Sequence, residues 1–155
     1  MKIKPSKVQL IIELITILLL VAMVVNLKLS WNNITDQVPG HYNISGEIDR
    51  WGSKPELLTV PILCGVLYIL LSLVSLFPSL WNLPGSINDG NRTKVLGSIK
   101  NMMSIMKMEM VLCFVYISYR SVKMEALSPY FTMVCLGVLV LTIVYYFIKT
   151  VKVSK

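Results

Sequence analysis

Four segments of this chain are long and apolar enough to cross a lipid bilayer: residues 8–27, 57–77, 102–119 and 127–148. A helix needs about 20 predominantly apolar residues to span the hydrocarbon, where helices and closed barrels alone satisfy every backbone polar group. The chain therefore reads as an all-α polytopic membrane protein, one domain over residues 1–155 with four transmembrane helices in a bundle. A 55% apolar content and a mean hydropathy of +0.68 make the lipid bilayer its solvent. The third segment has a competing assignment as an amphipathic surface helix, because Lys107 and Glu109 interrupt it. Spanning is preferred, since a surface helix would move the C-terminus to the other side and worsen the charge bias described next.

Lys and Arg accumulate in cytoplasmic loops. Nine of them (Lys2, Lys4, Lys7, Arg92, Lys94, Lys100, Lys149, Lys152 and Lys155) fall on the side of the termini and the 78–101 connection. Five, namely Lys28, Arg50, Lys54, Arg120 and Lys123, fall on the other, among Asp36, Glu47, Asp49, Glu56 and Glu125. This predicts a multi-pass protein of the cell membrane with both termini cytoplasmic. Trp31, Trp51, Tyr119 and Tyr130 near one boundary, and Trp81, Tyr145 and Tyr146 near the other, suit headgroup depth. Cleavage of the first segment as a signal peptide is disfavoured, because its apolar region is too long and lacks a small-x-small site. The net charge of +7 thus has a topological reading, and without a solvent-facing basic patch interleaved with aromatics no nucleic-acid partner is expected. Cys64, Cys113 and Cys135 lie inside apolar runs and supply neither a disulfide framework nor a metal knuckle.

The outer loop, residues 28–56, is polar, aromatic and rich in turn formers. It predicts two short strands, Val38 to Asn43 and Glu47 to Trp51, about the turn Asn43-Ile44-Ser45-Gly46, with Gly46 at positive φ. Ser53-Lys54-Pro55-Glu56 has the capping-box pattern for the second span, and Pro61 predicts a kink two turns further in. The inner connection carries turn signals at Leu83-Pro84-Gly85 and Asn88-Asp89-Gly90-Asn91, and no internal repeat supports a duplicated transporter.

Pro39, His41, Tyr42, Asn43, Gly46, Glu47, Asp49, Arg50, Trp51, Gly52, Ser53 and Lys54 resemble the P-x-H-[FWY]-N-x-x-G-x-x-D-R-[WY]-G-S-K pattern of the DUF1648 membrane-domain family. The resemblance covers the first two spans and their loop. That domain also stands at the N-terminus of SdpI-like immunity proteins, which continue into a further helical domain with a Gly-Tyr-Arg-Thr motif not found in this sequence. The resemblance therefore implies fold and membrane location more than immunity to a secreted peptide toxin.

His41 is the single histidine, and with Asp36, Glu47 and Asp49 it offers one nitrogen and several oxygens to a divalent ion. Zinc ordinarily wants more His or Cys, so the preferred reading gives these residues to the loop's own hydrogen bonds, with surface pH sensing by His41 the remaining option. No nucleophile with a base and an orienting group, and no phosphate-cradling loop, is available, so neither enzyme activity nor a cofactor is expected. Inside the spans, Glu13, Lys107 and Glu109 enter from the same side at similar depth. A Glu13–Lys107 pair holding helices together is preferred over a proton or cation path through Glu13. The methionines at 102, 103, 106, 108 and 110 circle their helix and read as packing, not copper ligands. The expected role is binding by the loop segment Pro39 to Lys54 to a peptide, lipid or membrane-protein partner, with a homo-oligomer open; a small proton- or cation-coupled transporter is the alternative.

Overall fold

The computed structural model describes residues 4–81 and 87–154. Helix α1 runs Lys7–Ser30 and opens on a capping box, in which Gln9 N–H donates to Ser6 Oγ at 3.2 Å and Ser6 N–H to Gln9 Oε1 at 2.9 Å. A short 3-10 turn, Trp31–Asn33, leads into strands β1 (Gln37–Tyr42) and β2 (Ile48–Ser53), which pair antiparallel as a two-stranded sheet. A second 3-10 turn, Lys54–Leu58, leads into α2 (Thr59–Leu76). Helices α3 (Arg92–Val122) and α4 (Phe131–Ser154) complete four helices of membrane-spanning length and hydropathy.

Leu10, Leu14, Leu18, Val21 and Val25 form an exposed apolar stripe on α1, and α4 exposes Leu136, Val140, Leu141, Val144 and Phe147. In water such surfaces would be prohibitive; against lipid tails they cost nothing. Two small buried clusters hold the bundle. Met23, Cys64 and Val111 join α1, α2 and α3 near the middle, while Leu27, Ile34, Val38 and Leu57 tie the hairpin to the helix ends.

Several boundaries differ from the sequence reading. At the turn β1 ends and β2 starts one residue further out than expected, because Asn43 and Glu47 are consumed in closing it; at the outer ends β1 starts one residue earlier and β2 ends two later. Asn43 N–H donates to Glu47 O at 2.9 Å, and Glu47 N–H to Asn43 Oδ1 at 3.0 Å. The capping box at Ser53 and Glu56 is present but starts the 3-10 turn rather than α2 itself. Pro61 then stands third in α2, where a backbone N–H has no partner within the α-helix, so its chemistry is absorbed at the 3-10/α junction.

The largest difference is α3, which begins at Arg92 and converts the last ten residues of the expected 78–101 connection into helix. Its start is specified by Asn88 and Asn91, whose side chains accept from each other's backbone N–H at 3.0 and 2.9 Å around the Asp89-Gly90 turn. Val95, Leu96 and Ile99 are buried beyond it. The Leu83-Pro84-Gly85 signal lies outside the described residues. As one continuous helix packed on α1, α2 and α4, α3 is not a surface helix.

Candidate functional site

At one end of the bundle the hairpin forms a cap fixed from behind. Val38 is fully buried in the terminal apolar cluster. Gly46 adopts φ +82°, the left-handed region that favours glycine, and its carbonyl accepts from Leu127 N–H at 2.7 Å, docking the turn on the α3–α4 connection. Tyr42 Oη bonds Ser121 Oγ at 3.1 Å and donates to Glu125 O at 3.2 Å; burial pushes its phenol above the ordinary value, which keeps the donated proton in place. Arg120 clamps the same connection through Glu125 Oε2 at 2.7 Å and Ala126 O.

Much of the motif is spent within the cap. Arg50 Nη2 donates to Gly40 O and to Glu56 Oε2, each at 2.8 Å, and Glu56 Oε1 accepts from Ser53 N–H at 2.9 Å. Gly40 and Gly52 leave room for this network, since a side chain at Gly40 would meet the Arg50 guanidinium and one at Gly52 the Glu56 carboxylate. Glu56, the centre of the network, was expected only as a helix cap; its position in sequence gave no hint of Arg50. Lys54 Nζ donates to Ile34 O at 3.1 Å and sits 5.1 Å over the Trp31 ring. Pro39 is buried opposite Trp51.

What the motif leaves exposed is narrower. The pairing skips Gly40 on β1 and Asp49 on β2, and such bulges re-aim side chains. His41 Nδ1 lies 2.7 Å from Asp49 Oδ1, with the two side chains 64% and 42% exposed. A carboxylate only accepts, so this contact calls for a ring proton on Nδ1. Trp51 is 51% exposed and Ile44, at the turn, 80%. Glu47 accepts from Asn43 Nδ2 at 2.9 Å and does not join His41. Asp36 contributes its carbonyl to Lys54 N–H. Among the described residues no three His, Cys, Asp or Glu side chains converge for a metal ion.

A second polar assembly lies within the bundle. Lys107, its side chain 5% exposed, donates to Glu13 Oε1 and Oε2 at 2.9 and 2.8 Å and to Ser72 Oγ at 3.0 Å. Its ammonium also sits 5.0 Å from the Tyr68 ring centroid, and Tyr68 Oη donates to Glu13 Oε1. The three ammonium protons of Lys107 thus each meet an acceptor. Sequence reasoning paired Glu13 with Lys107 but missed Tyr68 and Ser72, although two polar residues four apart in an oily span are a legible face of α2. Glu109 points the other way, toward α4, where Thr142 Oγ1 donates to its Oε1 at 2.5 Å and its Oε2 is buried without a partner among the described residues. Glu109 therefore does not share the Glu13 cluster: two residues on from Lys107, it lies about 200° further around the helix.

Residues 17–65 match the family model described as a domain of unknown function, DUF1648. The matched stretch takes in most of α1, the whole hairpin and the start of α2. Comparison with curated proteins and with solved structures finds no match.

Proposed function

We propose that this DUF1648-domain membrane protein acts by binding rather than catalysis, with the cap as its recognition surface on the extracytoplasmic side. The observation that carries this reading is the division of labour in the hairpin. Val38, Tyr42 and Gly46 hold it from behind and the Arg50–Glu56 pair braces it internally, while His41, Asp49, Trp51 and Ile44 stay exposed. An exposed aromatic and a bonded polar pair carried on one braced hairpin are a preorganised site, which loses little backbone entropy on binding. Its chemistry suits an extended peptide or the external loop of a membrane protein, offering an apolar side chain to Trp51 and a donor or cation to Asp49. An accessory or immunity-like role in the cell membrane follows.

The test is a photo-crosslinking amino acid placed at Ile44 in intact cells. A discrete protein or peptide adduct is expected, lost on Trp51→Ala or Asp49→Ala and kept on Glu13→Gln. Labelling of lipid alone would sink the binding role. Proton- or cation-coupled transport is the second reading, favoured by Glu13 lining a cavity of about 660 Å³. Its weakness is that Lys107 holds both Glu13 oxygens. If Glu13→Gln abolishes proton-coupled efflux from reconstituted vesicles while Trp51→Ala has no effect on any phenotype, transport replaces binding.

A further inference from the structure

All three cysteines are free thiols, and two of them face each other across the seam between α3 and α4. Cys113 Sγ donates to Cys135 Sγ at 2.8 Å. The seam fixes this register from both sides. Toward the cap, the Tyr116 and Phe131 ring centroids lie 5.0 Å apart and Ser128 N–H donates to Tyr116 Oη at 3.1 Å. Toward the other end, Thr142 bonds Glu109 and Thr150 bonds Ser98. The two sulfurs therefore stand where a bond between them can form while these contacts keep the helices in place. Both thiols are part-exposed, and Met133, Val134 and Leu136, beside Cys135, are exposed on the surface that α4 turns to lipid. Cys64 is the contrast, fully buried with Met23 and Val111 where α1, α2 and α3 meet.

We propose that Cys113 and Cys135 form a reversible dithiol–disulfide couple within the bundle, oxidised by hydroperoxides of unsaturated lipid chains. The place selects the class of oxidant: the pair is reached through the hydrocarbon, which a charged oxidant does not enter. One thiol attacks the hydroperoxide, so that an S–O bond forms as the O–O bond breaks, leaving a sulfenic acid and the lipid alcohol, which takes up the thiol proton. The second thiol then displaces the sulfenic oxygen: the S–S bond forms, the S–O bond breaks, and the oxygen leaves as water with the second thiol's proton. The two thiols give up two electrons and the hydroperoxide accepts them. A second thiol held at the first makes this closure intramolecular, which favours it over further oxidation of the sulfur. The loop so closed carries Ser121, Glu125 and Leu127, on which the hairpin is seated, so the bond also stiffens the support of the cap.

The test places the full chain, purified reduced, in nanodiscs of saturated phosphatidylcholine with or without added linoleoyl hydroperoxide, catalase being present to remove hydrogen peroxide. The chain is then denatured with a maleimide and weighed by mass spectrometry. Without hydroperoxide it should take a maleimide on each of its three cysteines. With hydroperoxide it should take one, on Cys64, and be lighter by the two thiol hydrogens, and dithiothreitol should restore all three. Cys64 should be consumed at least about tenfold more slowly than the pair, because oxidation follows exposure. Cys64→Ala should take no maleimide after oxidation. Cys135→Ala should gain oxygen on Cys113 in place of the loss of hydrogen. Retention of all three thiols, a bond made by Cys64, a disulfide between two chains on a non-reducing gel, or closure of the pair by hydrogen peroxide alone would each overturn the proposal.

Discussion

Lys107→Met should be the most damaging single change in the bundle, and its cost should be recoverable. The wild-type Lys107 side chain is 5% exposed and its ammonium satisfied by Glu13 and Ser72, while the Glu13 side chain is 30% exposed. Removing one member of a fully buried pair typically costs about 3–5 kcal/mol, because the remaining charge is left uncompensated. Glu13 keeps some access to its surroundings, so the low end, about 3 kcal/mol, is the expected loss. That corresponds to roughly two orders of magnitude in the unfolding equilibrium. Replacing both partners removes the stranded charge, and apolar replacements of buried pairs are often neutral. Lys107→Met with Glu13→Leu should therefore lie within about 1.5 kcal/mol of wild type. The assay is reversible unfolding in bicelles by added dodecyl sulfate, run as a double-mutant cycle. A coupling energy below about 0.5 kcal/mol, or a double variant no better than Lys107→Met, would refute the pair as the keystone of α1 and α3.

Gly46→Ala should loosen the cap. Left-handed backbone costs an alanine about 1–2 kcal/mol, and its Cβ would stand 2.9 Å from Ser128 O and 3.0 Å from Leu127 O. The readout is hydrogen exchange at the Leu127 amide, which should lose at least tenfold protection; unchanged exchange would show that the docking contact is dispensable. Thr142→Val should cost about 1 kcal/mol in the same unfolding assay, by leaving the Glu109 carboxyl without its recorded donor. No loss would mean that Glu109 is served by another group. For orientation, a variant with Cys64, Cys113 and Cys135 replaced should label at Ser45→Cys with an impermeant thiol reagent in intact cells and not at Asp89→Cys. The opposite pattern would invert the bundle and the proposed side of the cap.

The spans and the hairpin were legible because their signals are local. Apolar runs of sufficient length announce helices α1, α2 and α4, and Gly46 in a turn-forming tetrapeptide announces the hairpin. The role of the motif was less legible. Arg50, Glu56, Gly40 and Gly52 form one network across two strands and a 3-10 turn, and no single-sequence spacing rule links a guanidinium to a glycine ten residues back that makes room for it. The four candidate metal donors illustrate the converse. They lie within fourteen residues of each other, yet the bulges that bring His41 to Asp49 leave Glu47 bonded to Asn43 and Asp36 outside the pair.

Helix α3, the weakest of the four spans in the sequence, does run through the bundle as expected, and the reason its signal is weak bears on how the bundle works. Hydropathy averages all sides of a helix, and a span surrounded by other helices needs no apolar coat. Polar residues of α3 and its cap find partners on all three neighbouring helices. Asn101 Oδ1 accepts from Gln9 Nε2 at 2.6 Å, Lys107 meets Glu13 on α1 and Ser72 on α2, and Glu109 meets Thr142 on α4. Ser98 Oγ accepts from Thr150 at 2.9 Å, and Asn91 Nδ2 donates to Ser154 O at 2.9 Å. Lys107 and Glu109, which lower its hydropathy to 1.4 against 2.4 or more for the other three, are also among the groups that specify which helix lies where. Lipid is as apolar as leucine, so oily faces alone cannot choose among helix arrangements; interhelical hydrogen bonds can. An α3 made as apolar as its neighbours would still insert, but only apolar packing such as Met23, Cys64 and Val111 would hold α1 and α2 against it, and α4 would lose its bonds to Glu109 and Ser98.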